Sequence, residues 1–174
     1  SNHVYEAFNT EQPELIQKVH LDYLKAGARC LKANTFGANR HQLRQFGLED
    51  RVVELNRVGV QLAREAMEKF KVKSHETGPF FVLGSVGPAV DLLDTAFAIA
   101  ECYHEQLDAL AAAGADALLL ETFISLPQLE LLIGLIRSRP GMPPVIAEMS
   151  LHATKDGKSL DPDPVTFVNR MAEL

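Results

Sequence analysis

The chain has 174 residues, 47% of them apolar and 23% charged, which is the balance of one ordinary globular domain. Seventeen Lys and Arg against 23 Asp and Glu give a formal charge of −6, so the global positive field that draws proteins to nucleic acid is missing and no nucleic-acid partner is expected. No apolar run approaches the roughly 20 residues of a membrane span, and two isolated cysteines, Cys30 and Cys102, make no secreted disulfide framework. No membrane partner is expected, and a reducing cytoplasm is the expected compartment. The opening Ser1-Asn2-His3 lacks both a signal-peptide core and an initiator Met, which suits a cleaved or internal segment.

In chain order, Pro13 sits at a natural first helical position, and Leu15, Ile16, Val19, Tyr23 and Leu24 follow at helical spacing. Gly27 ends that helix, and Cys30 to Phe36 reads as a short strand running into a turn at Gly37. His41 to Phe70 is helical with a break near Gly47, its buried stripe being Val52, Val53, Leu55, Val58, Leu62 and Ala66. Phe80 to Val86 is an apolar run of strand length, stopped by Gly87-Pro88. Thr95 to Ala113 reads as a helix, Asp116 to Phe123 as a strand, Pro127 to Arg137 as a helix opened by Ser125, and Pro144 to Met149 as a fourth strand. A last helix begins near Pro164.

Strands separated by helices of this length pair in parallel, so the fold class is α/β. Ala26-Gly27-Ala28 through Asn34-Thr35-Phe36 repeats 87 positions later as Ala113-Gly114-Ala115 through Glu121-Thr122-Phe123. A recurring helix-glycine-strand unit with a polar pair at the strand end favours a (β/α)8 TIM-type barrel over an open sheet. Because such barrels usually need about 250 residues, only a partial barrel is expected here.

Barrel sites lie at the carboxyl ends of the strands, which here are Asn34 to Gly37, Ser85 to Pro88, Glu121 to Phe123 and Glu148 to Ser150. Glu121 stands out, because a carboxylate after Leu118-Leu119-Leu120 requires a substrate ammonium, a metal or a basic side chain as partner. Asn34 and Thr35 serve either a ligand or the turn itself. Gly84-Ser85-Val86-Gly87 lacks both phosphate-loop spacings. The six histidines form no HxxxH pair, and His104, near Glu101 and Asp108, reads as a helix-surface residue. Cys30 and Cys102 read as small core residues, since neither has an activating His nearby in sequence.

The order of these motifs resembles the homocysteine S-methyltransferase family, zinc-dependent barrels that methylate homocysteine to methionine. The resemblance rests on Pro13-Glu14-Leu15, Asn34-Thr35-Phe36-Gly37-Ala38-Asn39-Arg40, Gly47-Leu48-Glu49-Asp50 with Leu55-Asn56, Gly84-Ser85-Val86-Gly87-Pro88, Leu119-Leu120-Glu121-Thr122-Phe123, and Val145-Ile146-Ala147 followed by Asp156-Gly157-Lys158-Ser159-Leu160. It implies that residues 1–174 are barrel strands two to five with their helices, an incomplete domain. It further implies that Glu121 holds the homocysteine ammonium and that Asn34, Thr35, Phe36 and Ser85 line the same mouth.

The departures are informative as well. The family's Asp-Gly-Ala-Met-Gly-like first strand is not in this sequence, nor are the Asn-Cys and Gly-Gly-Cys-Cys segments that carry its zinc thiolates. Zinc serves that chemistry by keeping a thiol of pKa near ~8.5 as the attacking thiolate. The resemblance therefore implies zinc for the complete domain with ligands outside this chain, and no metal site or methyl transfer by these residues alone. The implied donor is methyltetrahydrofolate through a cobalamin, or S-methylmethionine. Two other classes are compatible with the residues: a non-catalytic barrel relative acting as a binding or assembly module, and a barrel enzyme using Glu121 and Glu148 for acid–base chemistry. Unpaired sheet edges in a partial barrel predict self-association or packing against further parts of the parent protein. The Pro88-to-Thr95 connection is shorter than the resemblance leads one to expect.

Overall fold

The computed structural model describes residues 4–89, 95–155, 160–161 and 163–174. The short connection within Pro88 to Thr95 and the segment 156–159 fall largely outside them. Helices α1 (Phe8–Glu11) and α2 (Pro13–Lys25) lead into strand β1 (Cys30–Lys32), followed by α3 (Arg40–Arg44), α4 (Val52–Ser74) and β2 (Phe81–Val86). Then come α5 (Ala96–Ala112), β3 (Ala117–Phe123), α6 (Leu126–Arg137), β4 (Val145–Met149), a small β5 (His152–Ala153) and β6 (Leu160–Asp161) pair, and α7 (Pro164–Glu173).

Local chemistry explains these boundaries. Thr95, Ser125 and Asp163 cap α5, α6 and α7 by accepting hydrogen bonds from the backbone N–H groups of Ala98, Gln128 and Thr166. The repeat is visible in the helix ends. Gly27 and Gly114, at φ of +97° and +81°, terminate α2 and α5 in the same way. The next amide, of Ala28 or Ala115, turns back to the carbonyl of Tyr23 or Leu110 at 3.0 and 3.1 Å.

The four main strands pair in parallel in the order β1-β2-β3-β4, each beside its sequence neighbour. One face carries Leu31, Val82, Leu118, Leu120 and Ala147, which pack with Leu24, Val60, Met67, Leu107, Leu110 and Leu129 of the helices into the main core. Crossovers that always step in the same direction, with a fixed hand, put the connecting helices α4, α5 and α6 on that one side. The opposite face is open at Phe81 and Ile146, each 44% exposed, and covered around Leu119 and Ser85, at 3% and 2%. A doubly wound sheet is covered on both faces, whereas one-sided coverage is the arrangement of a barrel wall.

Four sequence expectations need correction. The strand read as Cys30 to Phe36 stops at Lys32, because the chain turns tightly and Thr35 N–H bonds to the Ala33 carbonyl. Cys30 is exposed rather than in the core, since it alternates with buried Leu31 on an edge strand. The α2 stripe is only partly buried: Leu24 is covered, while Leu15, Val19 and Tyr23 project beyond the edge of β1, where no described element covers them. In α4, Val53 points outward in the same manner, and the break before it is a short 3-10 turn at Glu49–Arg51.

Candidate functional site

The site forms where β3 ends. Leu120 pairs with Ala147 and Phe123 with Met149, so Glu121 and Thr122 together oppose Glu148 in a β-bulge. Thr122 takes a left-handed φ of +59° and donates its hydroxyl to the Glu121 carbonyl at 2.7 Å. The bulge lets Leu120 and Phe123 both enter the helix-facing core, with Glu121 between them on the open face.

Glu121 is 8% exposed, and both of its carboxylate oxygens are engaged. Ser85, buried on the neighbouring β2, donates Oγ to Oε1 at 2.5 Å, and Lys32 of β1 places Nζ 2.8 Å from Oε2. The Lys32 side chain is 57% exposed against 11% for that of Glu121, so the carboxylate is the buried partner and the ammonium the solvent-facing one. Hydrogen bonding to Glu121 holds the Lys32 ammonium above its ordinary pKa, with Glu148 adding in the same sense. Glu148 itself is exposed on β4. With both oxygens of Glu121 taken by Ser85 and Lys32, nothing in the geometry couples Glu121 to Glu148 as an acid–base pair.

Glu121, Ser85, Lys32, Asn34, Thr35 and Phe36 line one cavity of about 470 Å³, which Ile16, Val19, His20 and Tyr23 of α2 also border. All five residues singled out in the sequence therefore meet in one place, but their roles divide. Thr35 is fully buried, donating Oγ1 to the Ser85 carbonyl at 2.8 Å while its own carbonyl accepts from Gln106 at 2.7 Å. Asn34 directs Nδ2 to the Tyr5 carbonyl and to Asn9 Oδ1, at 2.8 and 2.9 Å. These two residues fasten the loop after β1. Phe36 is 40% exposed, and its ring lies so near Gly87 that a Cβ there would stand 2.5 Å from it.

The rest of the Asn34-to-Arg40 motif is also held from beneath. Asn56 donates to the carbonyls of Ala38 and Val52, Asn9 to those of Asn34 and Leu55, and Arg40 grips Glu105 through two bonds of 2.7 and 2.8 Å. Gly84 serves helix packing: a Cβ on it would be 3.1 Å from Leu110, and the Gly87 N–H is spent on the Phe36 carbonyl.

Two contributors escaped the sequence reading. Lys32 alternates with the buried Leu31, a pattern that marks it as facing the open side, but only strand order shows Glu121 to be its partner. His20 of α2 lines the cavity at 5% exposure, with no described partner for Nε2, and burial pushes its pKa down to about 4. Among the described residues no three His, Cys, Asp or Glu side chains converge as a metal site. Cys102 is buried with its thiol pushed up to about 12 by desolvation, and His104 lies on the surface of α5, 3.5 Å from Asp108. No helix among the described residues is long and apolar enough to cross a membrane.

The sequence pattern of homocysteine S-methyltransferases matches residues 1–174. The chain belongs to the homocysteine S-methyltransferase family. It is 31% identical to a methionine synthase of Mycobacterium tuberculosis over 159 residues, covering 86% of this chain and 13% of that protein. It is 33% identical to the homocysteine S-methyltransferase of Escherichia coli over 142 residues, 75% of this chain and 46% of that one. The crystal structure of metallated MmuM, a homocysteine methyltransferase of Escherichia coli, superposes with a TM-score of 0.81 at 30% identity, over 96% of this chain and 62% of the other. This member of the homocysteine S-methyltransferase family thus spans less than half of the curated relatives it matches.

Proposed function

We propose that the full-length protein transfers a methyl group to the thiol of homocysteine, forming methionine, and that residues 1–174 are barrel strands two to five, supplying the wall that holds the amino acid. The observation that carries this reading is Glu121: a buried carboxylate, pinned by Ser85, at the carboxyl end of a barrel strand beside a cavity. Its role is to receive the substrate ammonium in a charge-assisted bond. Phe36 supplies apolar surface beside it, while Asn34 and Thr35 hold the rim in shape.

The family resemblance calls for zinc, and the described residues do not fit it. Cys102 is buried with a raised pKa, Cys30 lies on an edge strand, and among the described residues no ligand set surrounds either. The thiolate ligands of a zinc ion would therefore come from parts of the full-length protein other than residues 1–174. The donor classes remain methyltetrahydrofolate through a cobalamin, or S-methylmethionine. Two unpaired cysteines support a reducing cytoplasm as the compartment. The exposed open face and the outer edges of β1 and β4 support packing against another copy or further segments of the parent.

The test is Glu121→Gln in the full-length protein. Loss of a hydrogen bond to a charged group, about 1.5–3 kcal/mol, weakens homocysteine binding by about 10- to 150-fold. Zinc content stays unchanged, and a thiol of the same length without the amino group is little affected. Equal weakening of both thiols makes Glu121 a structural carboxylate and removes the support for the reading.

A further inference from the structure

We propose that Tyr103 of α5 is a positioning residue for the reaction: its hydroxyl sets the loop after β2, and through Gly87 that loop holds the ring of Phe36 in place. The inference rests on the proposed function and adds to it a residue that lies outside the cavity lining.

Three observations carry it. First, every backbone polar group of Gly87, Pro88 and Ala89 is taken. The Tyr103 hydroxyl donates to the Gly87 carbonyl at 3.0 Å and accepts from the Ala89 N–H at 2.7 Å. Gln42 of α3 donates to the Pro88 carbonyl at 3.4 Å, and Gln128 of α6 to that of Ala89 at 3.2 Å. The Gly87 N–H goes to the Phe36 carbonyl at 2.8 Å, and Pro88 has no N–H to place. Of these partners the Tyr103 hydroxyl alone serves two groups, joining the residues on either side of the proline.

Second, Tyr103 is fully buried, and burial pushes its pKa upward, so the hydroxyl stays protonated and able to donate. Third, Gly87 has no slack against Phe36. A Cβ on it would stand 2.5–2.6 Å from three ring atoms, Cζ, Cε1 and Cε2. Phe36 is therefore tied to Gly87 twice, by its carbonyl and by its ring, and a shift of Gly87 carries the ring with it.

The clamp is complete within residues 36–128. The strand that carries the loop, β2, has a neighbour on each side, and α3, α5 and α6 supply the three side chains. Loss of the hydroxyl would leave the Gly87 carbonyl and the Ala89 N–H, both buried, without partners. The loop then re-seats to recover those bonds, and the ring follows.

The experiment measures kcat/KM in the full-length protein with homocysteine and with 4-sulfanylbutanoate, a thiol of the same length without the amine. The variants are Tyr103→Phe, Phe36→Leu and the two combined, each assayed at a temperature where circular dichroism shows it folded. Tyr103→Phe keeps the ring that fills the core and removes only the hydroxyl. It is expected to lower kcat/KM by about tenfold for both thiols, within what a misplaced positioning element costs. Once Phe36 is replaced by Leu, the same change is expected to cost less than about twofold, because the ring it places is gone. Gly87→Ala displaces that ring with Tyr103 intact, so it is expected to show the same dependence on Phe36 and carries the test if Tyr103→Phe does not fold.

A loss of equal size with and without the Phe36 ring, or no loss at all, makes Tyr103 a structural residue of the loop and overturns the inference, while the function reading stands. A loss confined to homocysteine routes the effect through Ser85 and Glu121 and overturns it as well. If the wild-type protein methylates no homocysteine, the function reading fails and takes the inference with it.

Discussion

Gly59 of α4 stands so close to the loop after β1 that a methyl group on it would lie 2.7 Å from Thr35 Cγ2 and 2.8 Å from Asn9 Nδ2. In an exposed helix, Gly to Ala gains about 1 kcal/mol. Here both neighbours are fully buried and bonded to backbone, so neither has room to give. Gly59→Ala is expected to destabilise the protein by about 1–3 kcal/mol, as overpacked cores do, read as a lower urea midpoint. A midpoint at or above wild type would show the contact to be slack.

Thr122 is the second local prediction. A β-branched residue at φ +59° carries a penalty of roughly 1–2 kcal/mol that Asn, more at ease in that conformation, largely escapes. Thr122→Asn should raise thermal stability by a few degrees, and an unchanged or lower Tm would mean that the Thr122 hydroxyl bond to the Glu121 carbonyl repays the strain.

The two cysteines should separate cleanly in a thiol-labelling experiment on the native chain. Cys30, exposed on β1, is expected to react at once, and Cys102, buried with its thiol pushed to about 12, only after denaturant is added. Added zinc should not protect Cys30. Protection of both thiols by one equivalent of zinc would mean that the ligands have been misassigned.

His20 makes stability pH-dependent. Its pKa falls from 6.5 in the unfolded chain to about 4 in the fold, so between those values the unfolded state binds the extra proton. Stability is unaffected above pH 6.5, falls as pH drops from 6.5 to 4, and is then level, a loss on the order of 3 kcal/mol for this group. Urea midpoints for wild type and His20→Gln should converge across that window as pH is lowered. Parallel curves would show His20 to be solvated.

Elements with a long period were legible in the sequence. The helices from Pro13, Thr95 and Ser125 and the order of the parallel strands follow from spacing, caps and the 87-position repeat. The gathering of Glu121, Ser85, Asn34, Thr35 and Phe36 around one cavity was legible from the strand ends only together with the family resemblance. Lys32 and His20 were not, because each is a lone residue whose meaning depends on a partner or a void supplied by a distant element. The exposure of Leu15, Val19 and Tyr23 was equally hidden: periodicity finds an apolar face but not what covers it. The split between rim-holding Asn34 and Thr35 and cavity-facing Phe36 depends on Asn9, Asn56 and Gln106, which carry no motif of their own.

The one-sided sheet has a consequence for the strength of the Lys32–Glu121 pair. With the face open, water reaches the exposed Lys32 ammonium and screens the pair from that side, although the Glu121 carboxylate itself is buried. Any element that closes the face expels that water, lowers the local dielectric constant and strengthens the same two charges without moving them. It also makes an unmatched Glu121 carboxylate costly, so that closure tolerates the site with Lys32 or a ligand ammonium in place and penalises it bare. Completion of the wall and affinity for a cation at Glu121 are thereby coupled, each favouring the other.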